Sequence, residues 1–291
     1  MTNGEVSRPR EPLSMWPILR EACLLPWNHR QHFARLLIIP TALTTLMSIA
    51  ESYWLEGKDM SSVALIGFLQ VLPDFLIFTF FAVSCHRSIL IGEHSVSRFG
   101  VPGWSMRETR FYLWILGIYT LGYFSMILFS AALGVMVAIG GSLGKTLDNA
   151  MAVMKYPAFF YSSMALLSVP FAYVVGRLSL VLPAVAVDLR PSFNSGWAQS
   201  EGNGWRVTVL VGGIPILFMG LQALFSVLVG WLTGTKDTQV MYETGVFSII
   251  NSGLFALLQY VLATVEVAIL SLSFKKLSGW QPSTVSHTQA Y

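Results

Sequence analysis

Long apolar runs separated by short polar connections dominate the chain. About 20 helical residues cross the hydrocarbon core of a membrane, and each of these runs is at least that long. The runs cover residues 36–55, 63–84, 111–141, 158–187, 207–232 and 246–274, within one membrane domain over residues 13–277. The pattern therefore predicts an all-α, polytopic bundle of about six transmembrane helices.

The composition supports a membrane protein and excludes several other classes. Hydrophobic residues make up 54% of the chain and charged residues 11%, against about 25% charged residues in soluble domains. The net charge of +3 is spread thinly, with no basic run, so we predict membrane lipids and not nucleic acid as partners. Residues 1–12 and 278–291 are polar and are predicted to be disordered tails.

Short aromatic segments precede several of the runs. Between residues 13 and 27, apolar residues recur at spacings of three and four, as in a helix that lies at the membrane interface. They are Trp16, Leu19, Cys23 and Trp27. Residues 107–114 and the segment around Phe193 and Trp197 have a similar plan. The sequence thus predicts three hairpins, each entered through a basic, aromatic pre-helix.

Basic residues predict the orientation of the bundle, because short cytoplasmic loops are enriched in lysine and arginine. With the N-terminus inside, four lysines fall outside, namely Lys58, Lys145, Lys155 and Lys236. Thirteen basic residues then fall inside: Arg8, Arg10, Arg20, Arg30, Arg35, Arg87, Arg98, Arg107, Arg110, Arg190, Arg206, Lys275 and Lys276. This asymmetry predicts that both termini are cytoplasmic.

Three ionisable residues lie inside predicted membrane helices: Asp74, Arg177 and Glu266. Counted from the inner ends of their helices at about 1.5 Å per residue, all three are roughly 13 to 18 Å deep. Gln70 is one helical turn from Asp74, and Gln259 is two turns from Glu266. The five residues are therefore predicted to share one layer of the membrane.

Two hypotheses account for this layer. In the first, Arg177 pairs with Asp74, Glu266 or both, and the charges hold the helices in register. In the second, the layer faces a cavity in which Arg177 receives an anionic head group or a carboxylate, while a surplus carboxyl group carries a proton. Pro73, Pro183 and the Gly212-Gly213-x-Pro215 segment either kink their helices or open them near this layer.

Two functional classes remain open. The predicted function is a non-catalytic integral membrane protein that binds or transports a lipid or small anionic solute through this layer. The alternative is a structural or accessory subunit that associates with a membrane protein partner or with itself. For that role, Ser130, Gly134 and Ala138 form a stripe of small residues, which allows close helix approach.

The sequence favours neither a metal site nor a common catalytic plan. His29 and His32 are three residues apart, and Cys85-His86 is predicted at the same cytoplasmic level. Zinc needs three or four converging ligands, however, and this spacing alone does not supply them. No phosphate-binding glycine loop, serine elbow or zinc-protease motif occurs. We therefore predict no cofactor, no metal, no catalytic residue and no disulfide.

Parts of the sequence resemble a family of bacterial integral membrane proteins. The stretch from Arg177 to Asp188, Trp197, the Gly202-Asn-Gly-Trp-Arg206 segment, and Trp27-Asn-His-Arg30 with Phe33-Ala-Arg35 are similar to its patterns. This family resembles the membrane domain fused to some glycerophosphodiester phosphodiesterases. The resemblance implies a multi-helix fold in the bacterial inner membrane. Because no soluble phosphodiesterase domain accompanies these patterns, that activity is not implied.

Overall fold

The computed structural model describes residues 12–55, 60–100, 103–140, 169–213 and 246–282. These residues are overwhelmingly helical and contain no strand, which confirms the all-α prediction. The helices are α1 (Met15–Asn28), α2 (Arg30–Leu55), α3 (Met60–Leu90), α4 (Met106–Gly140), α5 (169–178), α6 (Val181–Ala186), α7 (Phe193–Gln199), α8 (204–213) and α9 (Val246–Ser278). A 3-10 turn, Glu93–Ser95, follows α3.

Five stretches in the described part of the chain are long and apolar enough to cross a membrane. They are Arg30–Glu51, Leu69–Leu90, Met106–Ala132, Val169–Ala186 and Ser252–Ser278. The chain is thus consistent with a multi-pass membrane protein. The predicted run 207–232 is described only to residue 213 and the run 158–187 only from residue 169. Residues 1–11 and 283–291, which hold most of the predicted tails, lie outside the described residues.

Helix α9 is the central element of the bundle. It packs against α1, α2, α3, α6 and α7. Small residues lie on its buried side, where they let neighbouring backbones approach closely. They are Ala256, Ala263, Ala268 and Ser271. The sequence of α9 therefore suits a helix surrounded by others.

Hydroxyl side chains inside the bundle bond to their own helices. Thr264 donates to the carbonyl of Tyr260 at 2.8 Å, and Ser271 donates to that of Val267 at 2.8 Å. Such bonds to the preceding turn satisfy a hydroxyl group without a partner from water. Polar residues can therefore occupy apolar helices at little cost.

Pro183 interrupts the stretch that forms α5 and α6. Proline lacks an N–H group, and its ring clashes with the carbonyl four residues earlier, here that of Ser179. The chain makes a turn at residues 179 and 180, where the Leu182 N–H donates to the Ser179 carbonyl at 3.0 Å. Pro73, by contrast, lies within the uninterrupted α3, and Pro215 lies outside the described residues.

The predicted pre-helices are only partly correct. Helix α1 is separate, with Trp16 and Trp27 73% and 68% exposed, and α7 is separate too. The second predicted pre-helix, residues 107–114, instead forms the first turns of α4. The reason is local: the Glu108 carboxylate accepts a hydrogen bond from the Ser105 N–H at 2.9 Å, as in a capping box, so one helix starts here and continues.

Candidate functional site: an acidic intramembrane cavity

A cavity of about 490 Å³ lies between α2, α3, α4 and α9. Four of the five residues predicted to share one layer line it, namely Gln70, Asp74, Gln259 and Glu266. Because Gln70 and Asp74 are four residues apart on α3, one helical face presents both. Gln259 and Glu266 are seven apart on α9 and share a face for the same reason.

The charge of the cavity is negative. Glu51 joins Asp74 and Glu266 in its lining, and the described lining residues include no lysine, arginine or histidine. None of the three carboxylates forms an ion pair in the described part of the chain. Glu51 and Asp74 also repel each other. Such a site attracts positive charge.

The three carboxylates lie at different heights along the bundle. Helix α2 begins, and α3 and α9 end, at one end of the bundle, which we call the basic end because Arg30, Arg87 and Lys275 lie there. At about 1.5 Å per residue, Glu266, Asp74 and Glu51 are roughly 18, 24 and 31 Å along their helices from that end. The cavity therefore extends from the middle of the bundle towards its opposite end.

Aromatic and hydroxyl groups complete the lining. The Tyr260 hydroxyl, on a residue that is almost fully buried, shares a hydrogen bond with the Thr44 hydroxyl at 3.0 Å and so joins α9 to α2. The Phe75 and Tyr119 rings are in contact, with centroids 4.9 Å apart. Tyr123 also faces the cavity. Hydroxyl and aromatic side chains therefore line the cavity together with the carboxylates.

Arg177 does not belong to this cavity. Its Nε donates to the Ser200 hydroxyl at 2.8 Å, and its two terminal nitrogens donate to the Tyr173 hydroxyl at 3.0 Å and the Trp197 carbonyl at 3.1 Å. The guanidinium carbon lies 3.7 Å from the centroid of the Trp197 ring. The predicted ion pair of Arg177 with Asp74 or Glu266 is therefore not formed.

Rotation about the helix axis explains why Arg177 is elsewhere. Val175, Ser179 and Leu182 share a second, smaller cavity with Glu266, so this face of the α5–α6 stretch is directed at α9. Residues two apart on a helix point in nearly opposite directions, which turns Arg177 away from Glu266 and towards α7. Counting residues along the helix predicts the depth of Arg177. The direction of its side chain depends on the rotation of the helix, which this count does not give.

Glu51 is the carboxylate of the cavity that was not predicted from the sequence. It lies four residues before the end of α2, near the end of an apolar run, where a carboxylate resembles an ordinary boundary residue. The sequence signal for Glu51 is its place inside the predicted apolar run 36–55, where a carboxylate is unexpected. Its neighbours across the cavity belong to other helices, and the sequence does not predict which helices pack against α2.

A separate ionic network lies at the basic end. Asp188 accepts hydrogen bonds from Arg87 at 3.1 Å and from Arg107 at 3.3 Å, and Arg107 also pairs with Glu108 at 2.7 Å. Asp188 has a φ of 65°, a left-handed conformation that aspartate tolerates better than most residues. This network joins α3 and α4 to the chain just after α6.

Two histidines at the basic end, His29 and His32, lie close to the carboxylate of Glu93. His29 Nδ1 donates to Glu93 at 2.8 Å, and His32 Nδ1 is 3.7 Å from the same carboxylate. His32 Nε2 shares a hydrogen bond with the Ser88 hydroxyl at 2.7 Å. Among the described residues, no three candidate ligands are arranged to hold a metal ion.

The comparisons with known proteins give no relative. No protein-family model, curated protein or solved structure matches the chain.

Proposed function

We propose that this chain is a non-catalytic membrane protein that binds a small organic cation in the acidic cavity and carries it across the membrane. The observation that supports this proposal is the set of three carboxylates, Glu51, Asp74 and Glu266, that share one cavity without a basic partner among its described lining residues. A carboxylate in a membrane is costly unless a positive charge or a proton compensates it.

The size and the lining of the cavity favour an organic ammonium ion over a bare metal ion. A volume of about 490 Å³ is within the range of small-molecule sites and is far larger than the volume of a single metal ion. The aromatic residues Phe75, Tyr119 and Tyr123 line the cavity, and a ring face in contact with a cation contributes roughly 0.5 to 2 kcal/mol. The ligand class is therefore an amine or a quaternary ammonium compound.

The positive charge of this ligand differs from the negative charge that was predicted from the sequence. A small anion was expected because Arg177 was placed in the same layer as the carboxylates. Since Arg177 is bound by Ser200, Tyr173 and Trp197, that reason no longer applies. A lipid ligand stays a prediction.

The accessory role stays a prediction as well. The Ser130 hydroxyl donates to the Met126 carbonyl within α4 at 2.8 Å. The surroundings of Gly134 and Ala138 lie outside the described residues. No observation on this stripe favours the accessory role over cation binding.

Binding of tetraethylammonium to the purified protein in lipid nanodiscs tests the proposal. We expect saturable binding of the labelled cation that excess unlabelled cation abolishes. The Asp74→Asn and Glu266→Gln variants should each bind at least about tenfold more weakly, because each loses one of the charges that stabilise the cation. Benzoate, an anion of similar size, should not compete.

Matched controls separate the site from the general charge of the protein. Glu21→Gln removes an exposed carboxylate on α1, far along the chain from the cavity residues, and should bind as the wild type does. Arg177→Gln should also retain binding if it folds. Equal affinity in the wild type, Asp74→Asn and Glu266→Gln proteins would refute the proposal, as would competition by benzoate alone.

We further propose that both termini face the cytoplasm and that the protein resides in a bacterial inner membrane. The excess of basic residues at one end supports the orientation. Arg30, Arg87, Arg107 and Lys275 all lie at the basic end of the described bundle. The inner membrane follows only from the family resemblance, which stays a prediction.

A further inference from the structure

The carboxylates of the acidic cavity are separated along the axis of the bundle. Their heights of roughly 18, 24 and 31 Å from the basic end put roughly 6 Å between Glu266 and Asp74, and roughly 7 Å between Asp74 and Glu51. The three residues belong to α9, α3 and α2, and all of them line the same cavity. The cavity therefore contains three negative charges in succession and not one concentrated charge.

A single monovalent cation does not compensate these charges. Asp74 and Glu51 are close enough to repel each other. The described lining residues include no lysine, arginine or histidine that would balance them. One bound monovalent cation therefore leaves two of the three carboxylates uncompensated, and full compensation needs a ligand with several positive charges.

Apolar and aromatic residues lie between the charged positions. Ala263 lines the cavity at roughly 22 Å from the basic end, between the heights of Glu266 and Asp74. Phe75 follows Asp74 directly on α3, and its ring lies 4.9 Å from that of Tyr119 between centroids. Methylene groups are favourable next to such surfaces because they leave water there. The lining therefore suits a chain in which charges alternate with methylene segments.

Uncharged acceptors favour an ammonium group that carries N–H bonds. Gln70 and Gln259 line the cavity, and neither side chain forms a hydrogen bond within the described part of the chain. The hydroxyls of Thr44 and Tyr260 share one hydrogen bond and retain further lone pairs. A quaternary ammonium ion has no N–H bond to donate, whereas primary and secondary ammonium ions have two or three. The second kind of ligand therefore uses more of the lining.

The spacing of the carboxylates matches that of amines joined by short alkyl linkers. An extended chain advances about 1.25 Å per single bond, so charged nitrogens separated by three or four methylenes are about 5 to 6 Å apart. The steps between the carboxylates exceed these values by about 1 to 2 Å at most, which alternative rotamers of aspartate and glutamate can cover. Two such linkers in succession place three ammonium groups at three heights.

We propose that the acidic cavity binds a linear polyamine, with one ammonium group at each of Glu266, Asp74 and Glu51. This inference rests on the proposed function, because it names the class of organic cation that the cavity binds. A linked ligand loses its translational freedom once for all three contacts, so each further ion pair adds affinity without a second cost of this kind. The affinity therefore increases from a monoamine to a diamine to a linear triamine.

Equilibrium binding to the purified full chain in lipid nanodiscs tests this order. The discs contain phosphatidylcholine alone, because anionic lipids would themselves bind polyamines, and empty discs give the background. Radiolabelled spermidine, a linear triamine with linkers of three and four methylenes, is the probe. We expect spermidine to bind at least about tenfold more tightly than 1,4-diaminobutane, and this diamine at least about tenfold more tightly than 1-aminobutane.

A compact triamine separates the spacing of the charges from their number. Tris(2-aminoethyl)amine also carries three ammonium groups at neutral pH, but they surround one central nitrogen and cannot be spread along one line at these intervals. Because only one or two of its charges reach carboxylates at once, it should compete at least about tenfold more weakly than spermidine.

The Glu51→Gln variant removes the charge that lies farthest from the basic end. It should weaken spermidine binding about tenfold or more, and 1,4-diaminobutane binding by less, because Glu266 and Asp74 still form a pair of sites for a diamine. Retained diamine binding also shows that the variant is folded. Glu21→Gln, which removes an exposed carboxylate on α1, is the matched control and should bind every amine as the wild type does.

The two proposals fail in different ways. The predicted order of affinities, with the advantage of spermidine lost in Glu51→Gln, would support the polyamine inference. Saturable tetraethylammonium binding would leave the proposed function intact, but the polyamine inference would be overturned if spermidine then bound no more tightly than 1-aminobutane or the compact triamine, or equally well to Glu51→Gln. Absence of saturable binding of both tetraethylammonium and spermidine would overturn both proposals.

Discussion

Arg177 shows how a buried charge can be satisfied without a carboxylate. The side chain is 9% exposed, yet its partners are two hydroxyl groups, one carbonyl and an aromatic face. Ser200 and Trp197 belong to the segment that begins with α7, and Tyr173 lies one turn before Arg177. The arginine thereby attaches this segment to the side of α5.

We predict that Arg177→Leu destabilises the protein. Leucine loses three charge-assisted hydrogen bonds and the contact with the Trp197 ring, and one such bond contributes about 1.5 to 3 kcal/mol. The apparent melting temperature in detergent should fall by several degrees, and the amount of folded protein should decrease. Size-exclusion chromatography after stepwise heating measures both effects.

Arg190→Leu is the control for this prediction, because Arg190 is exposed and lies close to Arg177 in the chain. It should melt within about a degree of the wild type, since exposed substitutions rarely change the stability by more than about 0.5 kcal/mol. Equal melting temperatures of the two variants would show that the Arg177 contacts do not stabilise the fold.

The crossing of α5 and α8 depends on a glycine. A Cβ atom placed on Gly176 would lie 2.7 Å from the Cα atom of Thr208. The obstacle is backbone, which cannot rotate away as the end of a flexible side chain can. Thr208 in turn donates to the Gly204 carbonyl at 2.9 Å, so its side chain is fixed as well. The two helices can therefore approach this closely only without a side chain at position 176.

We accordingly expect Gly176→Ala to destabilise the protein by about 1 to 3 kcal/mol, the usual cost of overfilling a packed interior. Gly117→Ala on α4 is the matched control. There the new Cβ would meet only the tip of the Phe193 ring at 3.9 Å, an ordinary contact. Alanine also favours a helix over glycine, so this variant should be as stable as the wild type or slightly more stable.

Thermal melts of the Gly176→Ala and Gly117→Ala variants in the same detergent measure these changes in stability. A Gly176→Ala protein that melts with the wild type would show that α5 and α8 separate easily, and the crossing would not contribute to stability.

Across the whole molecule, charge is distributed unequally between the two ends. The basic end contains the network of Arg87, Arg107 and Asp188, whereas the acidic cavity begins at mid-depth and extends away from it. A cation that enters from the opposite end therefore meets carboxylates before it meets any of these arginines. This polarity agrees with a basic end that faces the cytoplasm.

Cysteine labelling of intact cells tests the orientation. In a Cys23→Ser background, the Gln281→Cys variant carries a thiol on an exposed residue after α9, and the buried Cys85 should not react. A membrane-impermeant maleimide should label this variant only after permeabilisation. The Lys58→Cys variant, in a predicted outer loop, should react in intact cells. The reverse pattern would contradict the orientation.

The fold class could be predicted because its signals are local. Long apolar runs, and the avoidance of charge within them, are properties of consecutive residues. In a membrane, a helix satisfies the hydrogen bonds of the backbone N–H and C=O groups within one such segment. The beginning of α4 was misplaced for a comparable reason. Nothing breaks the helix after Met106, yet the aromatic and basic residues there resembled a separate interfacial segment.

The candidate site could be predicted only in part. Gln70 with Asp74, and Gln259 with Glu266, share helical faces that can be counted along the sequence, and the structure brings these four residues to one cavity. The missing member, Glu51, comes from α2, whose position beside α3 and α9 is set by packing. Pairwise spacing predicts a face but not the helix that will lie opposite it.

Hydropathy is a property of a single segment, so the amino-acid sequence alone was sufficient to predict the helical class and the apolar spans that the structure describes. The direction in which each charged side chain points is seen only in the packed bundle. That direction depends on how every helix is rotated to bury its whole surface, and this rotation turned Arg177 towards α7 while it left Glu266 between two cavities. It also placed Ser271 against His86, a pairing of residues 185 positions apart that no local pattern predicts.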